Sequence, residues 1–383
     1  MRNRIYSRIR LNPLEISGSF GDLGSFIPLV VPMIILCDLD AGSVFFWAGF
    51  FSITTGFLFG LPVPVQPMKA IAAVAIAERL TAGEIAAAGL VTGLIIFLMA
   101  ISRLLKNIVP FIPREIIRGI QMGVGASLAI KGLTMLSSHK YAAFWDLPLL
   151  VLCIVFIITG LKVKKLPGAL LVFTIGLIAV FSGSPAVLEN TVFGWQGLSY
   201  TFPNGSEWLS GCVKGSLPQI PLTVLNSVIA ICALSRGLFP GKGIPDARMA
   251  YSVAAMNVGC LFGAMPMCHG SGGLAAQYRF GSRSGGGMVF MGLVKMAVGI
   301  FLGSSVIKVL ADYPPSVLGL LLIVSGIELS RPGLKNKGLR QHLTGFVTAL
   351  VIVISNAAVG FLAGIILFIG FKSLPSLITA FKR

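Results

Sequence analysis

The segment that decides the fold of this chain is Leu61-Pro62-Val63-Pro64-Val65-Gln66-Pro67-Met68-Lys69, which interrupts a long series of apolar stretches. Its three prolines lack backbone N–H groups and hold their neighbours extended, so the segment cannot continue a helix. A second interruption, Met265-Pro266-Met267-Cys268-His269-Gly270-Ser271-Gly272-Gly273, follows in the second half of the chain. Two broken spans at corresponding places in two halves indicate a binding site near the middle of a membrane.

The composition is that of an integral membrane protein. Hydrophobic residues make up 55% of the chain, charged residues 11%, and the mean hydropathy is +0.91. A soluble domain carries about 25% charged residues. The formal net charge is +17, but the basic residues lie in short loops between apolar runs and form no patch interleaved with aromatic rings. We therefore expect membrane lipid, and no nucleic acid, among the partners.

Cysteines and histidines form no known catalytic or metal-binding pattern. The six cysteines lie mostly inside or beside apolar runs without a CxxC pair, and the three histidines form no HExxH motif. We therefore expect no disulfide framework, no metal and no cofactor. The chain has no GxxxxGK[ST] motif, which argues against direct use of ATP. No nucleophile–base pair stands out, so we do not expect an enzyme.

Apolar runs of about 20 residues, and shorter ones that are broken or paired, predict a polytopic membrane protein. The fourteen predicted spans lie near 16–37, 42–60, 66–80, 83–105, 114–136, 146–161, 166–183, 215–235, 247–264, 268–280, 286–311, 314–329, 341–356 and 358–374. With a cytoplasmic N-terminus, the outer segments receive few basic residues, namely Arg79, Lys140 and Lys214. This asymmetry predicts that both termini are cytoplasmic and that the protein lies in the cytoplasmic (inner) membrane.

The chain also repeats itself. Ile27-Pro28-Leu29-Val30-Val31 resembles Ile220-Pro221-Leu222-Thr223-Val224, and each copy precedes one of the two interruptions. Each half holds seven predicted spans, an odd number, so the halves must cross the bilayer in opposite directions. We predict an all-α fold built as a seven-plus-seven inverted repeat. Its parts are a cytoplasmic segment 1–15, a first repeat 16–183, an extracytoplasmic loop 184–214, a second repeat 215–374 and a cytoplasmic tail 375–383.

The first interruption predicts a helix that starts inside the membrane with a cation in its first turn. Pro67 suits the first position of a helix, because its missing N–H would have no partner there. Lys69 then lies at the positive end of the helix dipole, where a cation costs from a few tenths to about 1 kcal/mol. A bound anion is the simplest compensation. Irregular backbone at this depth is tolerated only inside protein or beside a wet cavity.

The second interruption predicts another helix start by different means. Gly270, Gly272 and Gly273 allow close approach to the backbone, and Ser271 or His269 can cap the helix that follows. Two helix starts that face each other aim several free N–H groups at one point, which favours an anion. Desolvation of an anion is costly, so both charge and several hydrogen bonds are needed.

These residues also have purely structural interpretations. The proline-rich segment can be only a kink, and Lys69 can pair with Asp22 for structure alone. His269 is as compatible with a cap or an interhelical hydrogen bond as with a ligand contact. Ser271 is better suited to a cap than to direct ligand contact, although a cap still shapes the site.

Three further polar residues lie inside predicted spans. Asp22 lies in the first span, where a carboxylate is rare and usually functional. Its protonation would remove repulsion from a nearby anion and so couple proton movement to anion movement, whereas the alternative is a structural salt bridge. Gln219 and Asn226 lie in the eighth span, where they either hydrogen-bond a ligand or cross-link helices.

Four motifs carry a resemblance to a known family. They are GDLGSFIP (21–28), PVQPMKA (64–70), PREIIRGIQ (113–121) and PMCHGSGGLAAQYRFG (266–281). Over nearly the whole chain, the sequence resembles the molybdate transporters related to the SulP sulfate permeases. The second and fourth motifs are long and specific.

The resemblance implies two intertwined inverted repeats of seven helices, as in the uracil permease. It implies a core domain of spans 1–4 and 8–11, a gate domain of spans 5–7 and 12–14, and substrate between half-helices at spans 3 and 10. Gln66 and Lys69 match the first substrate signature, and Cys268, His269 and Ser271 match the second. Many SulP permeases carry a cytoplasmic STAS domain after the last helix. Only 375–383 follow the last span here, and we expect no such domain.

Together these observations predict secondary active uptake of a small inorganic oxyanion, molybdate first and sulfate second, by alternating access and with proton symport. The candidate substrate-binding residues are Gln66, Lys69, Gln219, Asn226, Cys268, His269, Gly270, Ser271 and Gly272, and Asp22 is the candidate proton-coupling residue. An anion channel and a nucleobase permease on the same fold are the alternatives. A nucleobase permease would need a carboxylate near the breaks, and the second break has none. A homodimer follows only by analogy with the family.

Overall fold

The structure is a computed structural model that describes residues 9–20, 23–105, 113–138, 151–155, 168–183, 194, 197–303, 305–306, 313–335, 338–355 and 357–380. It is mostly helical, with 81% of the described residues in helices. Most of the predicted span at 146–161 lies outside the described residues, and so does Asp22.

The helices follow one another in two series. The first series is α1 (Pro13–Ser19), α2 (Leu23–Cys37), α3 (Ala41–Phe59), α4 (Lys69–Glu78), α5 (Ala82–Ile101), α6 (Arg114–Ser138) and α7 (Gly168–Gly183). The second is α8 (Gly205–Leu238), α9 (Asp246–Val258), α10 (Ser271–Phe280), α11 (Gly286–Leu302), α12 (Pro315–Ser330), α13 (Leu339–Ile354) and α14 (Ala357–Ala380). Two short strands, β1 (Gln66–Pro67) and β2 (Met267–Cys268), precede α4 and α10. Within α8 the backbone is π-helical at Gly211–Ser216 and Thr223–Ala230.

Several helices suit a bilayer by length and composition. Among the described residues, α3, α5 and α8 are long and apolar enough to cross a membrane. Shorter apolar helices include α11, α13, Phe26–Cys37 within α2 and Pro315–Val324 within α12. Large apolar side chains such as Phe57 and Leu98 lie exposed on the outside of the bundle, as lipid contact requires.

Three predicted boundaries differ from the structure. Helix α8 begins at Gly205 and not near 215, because Asn204 and Glu207 form a capping box in which each side chain accepts the other's backbone N–H. The predicted loop 184–214 therefore ends in helix. Helix α14 continues to Ala380, so most of the predicted tail 375–383 is also helical. The first predicted span, 16–37, corresponds to two helices, α1 and α2.

Helices α3 and α11 approach each other so closely that only glycine fits along their contact. The glycine pairs, spaced seven residues apart on each side, are Gly42 with Gly299, Gly49 with Gly292, and Gly56 with Gly285. A Cβ atom on Gly292 would lie 2.7 Å from the Gly49 carbonyl oxygen. Small residues of this kind let helix backbones touch, which drives helix association where the hydrophobic effect does not.

The same device joins α6 to α12 and ties the two series of helices together. Gly125 faces Gly326, and a Cβ atom on Gly319 would lie 2.7 Å from the Gly132 carbonyl oxygen. Helix α5 packs on α9 in the same cross-series manner. The two halves of the chain are therefore intertwined and do not form separate bodies.

Helix α4 is deeply enclosed over most of its length. Every residue from Ala70 to Ile76 is 5% exposed or less. The helix packs against α2, α6 and α8. Ten residues of helix measure about 15 Å, roughly half the thickness of a bilayer's hydrocarbon core. Its first residue, Lys69, consequently starts in the interior of the bundle.

Candidate functional site

The two interruptions meet. Strands β1 and β2 pair antiparallel, with Gln66 opposite Cys268 and Pro67 opposite Met267. The Met68 N–H continues the pairing by donating to the Pro266 carbonyl oxygen at 2.9 Å. Because the pairing is antiparallel, α4 and α10 leave the strand pair from its opposite ends, at Lys69 and at Ser271.

Helix α9 holds the second interruption in place. Asn257, fully buried, donates through Nδ2 to the Met267 carbonyl oxygen at 2.8 Å and accepts from the Met267 N–H at 3.2 Å. One side-chain amide thus satisfies both backbone groups of a residue that has left the helix, as buried polar groups require. Sequence reasoning missed Asn257. The signal for it was a lone amide within an otherwise apolar span.

His269 braces the two interruptions against each other. Its Nδ1 lies 2.9 Å from the Pro64 carbonyl oxygen, and its Nε2 lies 2.9 Å from Ser252 Oγ on α9. A carbonyl can only accept, so Nδ1 carries the proton, and in the neutral imidazole Ser252 Oγ then donates to Nε2. Both ring nitrogens therefore have protein partners in this arrangement, which is the interhelical alternative foreseen from the sequence.

The junction between the strand pair and α10 is formed by Gln66, Cys268 and Gly270. Gln66 is 1% exposed and Cys268 is 4% exposed. A Cβ atom on Gly270 would collide with Gln66 Oε1, so only glycine allows this approach of the side chain to the backbone. These residues lie close to the first turn of α10, and they are buried.

The start of α4 is capped by a side chain from α8. Gln219 Oε1 accepts the backbone N–H of Ala70 at 2.8 Å and that of Ile71 at 3.3 Å. Gln219 Nε2 donates to Thr223 Oγ1 at 2.8 Å, so this 1% exposed amide is fully engaged. A neutral carbonyl oxygen thereby accepts from two of the N–H groups that were expected to bind an anion.

The start of α10 is open. Among the described residues no side chain caps it, because Ser271 Oγ donates instead to Asn226 Oδ1 at 2.7 Å and His269 is engaged elsewhere. The expectation that Ser271 or His269 caps α10 was therefore wrong. Gly272 is exposed, and a Cβ atom on it would meet nothing within 4 Å. Free N–H groups of the first turn and the positive helix end adjoin this space.

Helix α8 connects both helix starts. Gln219 reaches α4 and Asn226, seven residues later, reaches Ser271 at the start of α10. The sequence left open whether these two amides contact ligand or cross-link helices. In the structure both make cross-helix bonds, and Asn226 does so at the rim of the open space beside Gly272.

Lys69 places positive charge at the start of α4. It is half-buried at the first position of α4 and forms no ion pair with any described residue. Asp22, its suggested structural partner, lies outside the described residues. A second buried cation, Lys295 of α11, is 3% exposed, with Nζ lying 3.6 Å from the ring centroid of Phe26. Lys295 therefore places its charge inside the helix bundle.

The arrangement suits recognition better than catalysis. Within the described part of the chain, no three His, Cys, Asp or Glu side chains cluster in a way that could hold a metal ion. What the site offers is unpaired backbone N–H groups, a hydroxyl, an amide and an ammonium group. Such donors recognise oxygen atoms that carry negative charge.

Three named relatives match this chain over nearly its whole length. Molybdate transporter 1 of Arabidopsis thaliana is 36% identical over 397 residues, which cover 93% of this chain and 87% of that protein. Molybdate transporter 2 of the same plant is also 36% identical, covering 95% of this chain and 89% of its own. Molybdate transporter 1 of Chlamydomonas reinhardtii is 29% identical over a match that covers 92% of this chain and 90% of that protein.

Solved structures with the same fold are anion transporters. The transmembrane domain of the cyanobacterial bicarbonate transporter BicA matches with a TM-score of 0.65 at 14% identity, covering 92% of this chain and 96% of that domain. The murine anion transporter Slc26a9 in its inward-facing state matches with a TM-score of 0.69 at 16% identity, covering 99% of this chain and 70% of that one. At these identities the likeness concerns the fold, which resembles SulP and SLC26 transmembrane domains.

A family profile described as "Molybdate transporter of MFS superfamily" matches residues 14–128 and 211–329. These ranges contain both interruptions and both short helices that follow them. The profile covers more than half of the chain, and two relatives share 36% identity over nearly all of it. This chain therefore belongs to the molybdate transporter family.

Proposed function

We propose that this protein takes up a tetrahedral oxyanion across a membrane and binds it at the open start of α10. Molybdate is the first candidate substrate and sulfate is the second. The family and its named relatives support an anion transporter. The observation that carries the site is the contrast between the two helix starts. Gln219 caps the first, whereas at the second Gly272 is exposed and a Cβ atom on it would meet nothing within 4 Å.

We propose ligand contacts that use the groups at this helix start. Oxygen atoms of a dianion would accept the free N–H groups of Ser271 and Gly272, and the Lys69 ammonium group would neutralise part of the charge. Asn226 would offer its Nδ2 group while its Oδ1 holds Ser271. Hydrogen bonds to charged groups contribute about 1.5–3 kcal/mol each, so several are needed to offset the loss of hydration.

Transport would follow an alternating-access cycle. In this proposal the core set of helices, including α4 and α10, rocks against the gate set, including α6, α12 and α13. The strand pair and the Asn257 and His269 bonds lie within the core set and would keep the two helix starts together during the motion. Binding would thus survive the change of access, which a carrier requires.

Proton symport through Asp22 is our proposal for coupling, and it rests on the sequence alone. Protonation of a carboxylate in the first span would remove repulsion toward a dianion. Uptake into vesicles should accelerate when the outside is acidified, and substrate addition should carry protons inward. A pH-independent uptake rate without proton influx would exclude this coupling.

The remaining expectations concern the setting of the protein. We propose residence in the cytoplasmic (inner) membrane with both termini cytoplasmic, on the basis of the charge asymmetry of the loops. A homodimer is proposed by analogy. The chain is not expected to need a cofactor, and no enzymatic step is proposed for it.

Two alternatives can be tested on the same fold. A nucleobase permease is disfavoured because the described side chains at the two helix starts are Lys69, Gln219, Asn226 and Ser271, none of which is a carboxylate. Unlabelled uracil should therefore fail to compete with molybdate uptake. An anion channel would give unitary currents in a planar bilayer without saturable counterflow.

Calorimetry of the purified protein with molybdate, tungstate and sulfate tests the proposal. We expect tighter binding of molybdate than of sulfate, and a loss of at least about tenfold, or about 1.4 kcal/mol, in Lys69→Ala. Lys242→Ala removes an exposed loop lysine and is the matched control, for which we expect native affinity. Equal affinity of native protein and Lys69→Ala would contradict the proposed site.

A further inference from the structure

A cavity of about 330 Å³ lies between α4, α6 and α13, outside the site described above. Its wall includes Ala73 and Ala77 of α4, Ser127 and Lys131 of α6, and Ile352 of α13. None of the candidate ligand residues named from the sequence lines it. The cavity is therefore separate from the proposed binding site.

The cavity runs along the face of α4 that carries Lys69. Ala73 and Ala77 follow Lys69 by four and eight residues, a spacing that places all three on one side of a helix. They lie about 6 Å and 12 Å further along the axis. The cavity and Lys69 therefore lie on the same side of α4, with the cavity beside the C-terminal half of the helix.

One uncompensated cation faces this cavity. Lys131 is half-buried and forms no ion pair with any described residue. The acidic residue of the wall, Glu78, is paired with Lys214, whose Nζ lies 3.4 Å from the carboxylate. Arg79, at the end of α4, and Lys131 both lie within electrostatic range of Cys37. The charge balance in and around the cavity is therefore positive.

The other polar groups of the wall contribute little to charge recognition. Ser127 Oγ donates to the Gly123 carbonyl oxygen at 3.0 Å, and Thr134 Oγ1 donates to that of Ile130 at 3.0 Å. Both hydroxyl groups thus bond to their own helix. An anion in the cavity would depend on the Lys131 ammonium group and would keep much of its water.

We propose that this cavity is a second, low-affinity anion site on the transport path. The oxyanion binds transiently beside Lys131 and then moves along α4 to Lys69. The inference rests on the proposed function. The volume admits an oxyanion with several waters, since one water takes about 30 Å³ of liquid volume. A single ammonium group binds weakly enough to release the ion, which passage through a series of sites requires.

The position of the cavity fits this role. In the proposed cycle α4 moves with the core set, whereas α6 and α13 belong to the gate set, so the cavity lies in the seam between them. A cation in a cleft raises the local concentration of an anionic substrate and its association rate by about tenfold or more. Loss of Lys131 should therefore slow capture at low substrate concentration and spare the final binding step.

The first test separates capture from binding. We expect Lys131→Gln to raise the KM of molybdate uptake into proteoliposomes by about tenfold with little change in maximal rate. Its calorimetric affinity for molybdate should stay native, unlike that of Lys69→Ala, and Lys242→Gln should match the native protein in both assays. A native KM in Lys131→Gln would overturn the inference, and so would an equal loss of calorimetric affinity. If the native protein itself binds no oxyanion, the proposed function fails instead.

Chemical modification provides the second test. Lys131→Cys should regain native KM after reaction with aminoethyl methanethiosulfonate, which restores a cation, and should lose more activity with the sulfonatoethyl reagent. The native protein, treated in parallel, controls for reaction at its own cysteines. An effect of Lys131→Gln that appears only in vesicles with anionic lipid would assign the cavity to a lipid phosphate and would also overturn the inference.

Discussion

The substitution Gly272→Ala tests the proposed anion site with little disturbance of the fold. Gly272 is the second residue of α10, is exposed, and has no backbone strain that demands glycine. A Cβ atom there would meet nothing within 4 Å. Because a helical Cα–Cβ bond tilts toward the helix start, the added methyl group would enter the space assigned to the anion.

The structure sets the size of the effect. With no steric cost, alanine in place of glycine should stabilise the folded protein by about 0.4–1 kcal/mol through the unfolded chain. The methyl group would push an anion oxygen away from the neighbouring N–H groups. Loss of one hydrogen bond to a charged group costs about 1.5–3 kcal/mol, which weakens binding by about tenfold to more than a hundredfold.

The assay combines molybdate calorimetry with a thermal unfolding scan of the same sample. Gly205→Ala is the matched control, since Gly205 is the first residue of α8 and a Cβ atom there also meets nothing within 4 Å. We expect native affinity in Gly205→Ala, weak binding in Gly272→Ala, and no loss of melting temperature in either. Native affinity in a fully folded Gly272→Ala protein would refute the assignment of the anion to this helix start.

Two further predictions concern α4 and the helix contact. Gln219→Glu keeps the shape of the cap on Ala70 but gives it a negative charge, so molybdate affinity should fall by at least about tenfold at neutral pH and recover as acid protonates the carboxyl group. An affinity equal to that of the native protein across this pH range would show that the anion does not approach the start of α4. Gly292→Ala places a Cβ atom 2.7 Å from the Gly49 carbonyl oxygen and should lower the melting temperature by separating α3 from α11. The control Gly237→Ala, in which the Cβ atom meets nothing within 4 Å, should leave the melting temperature unchanged. A native melting temperature in Gly292→Ala would count against close backbone contact between α3 and α11.

The two interruptions were predictable from the sequence because their causes are local. Three closely spaced prolines before Lys69 and three glycines around Ser271 disfavour continuous helix through the backbone of the segment itself. The structure has extended backbone at both places, followed by the helices α4 and α10. The early start of α8 also has a local cause, the capping box of Asn204 and Glu207. This capping box lies in the segment 184–214, which was predicted to be a loop.

The partners of the site residues were not predictable, because they come from distant parts of the chain. Gln219 caps an amide 149 residues away in sequence, and His269 bonds a carbonyl 205 residues away. Residue type and spacing could show that each of these groups needs a partner inside a membrane, but not which partner it finds. As a result, the two helix starts look equivalent in the sequence, whereas in the structure Gln219 caps the start of α4 and the start of α10 stays open.

Tungstate offers the most direct measurement, because its heavy atom can be located by anomalous scattering in crystals of the protein. We predict one strong peak at the start of α10, with anion oxygens about 3 Å from the Gly272 nitrogen and from Lys69 Nζ. A peak located only elsewhere, or no peak at saturating tungstate, would contradict the account.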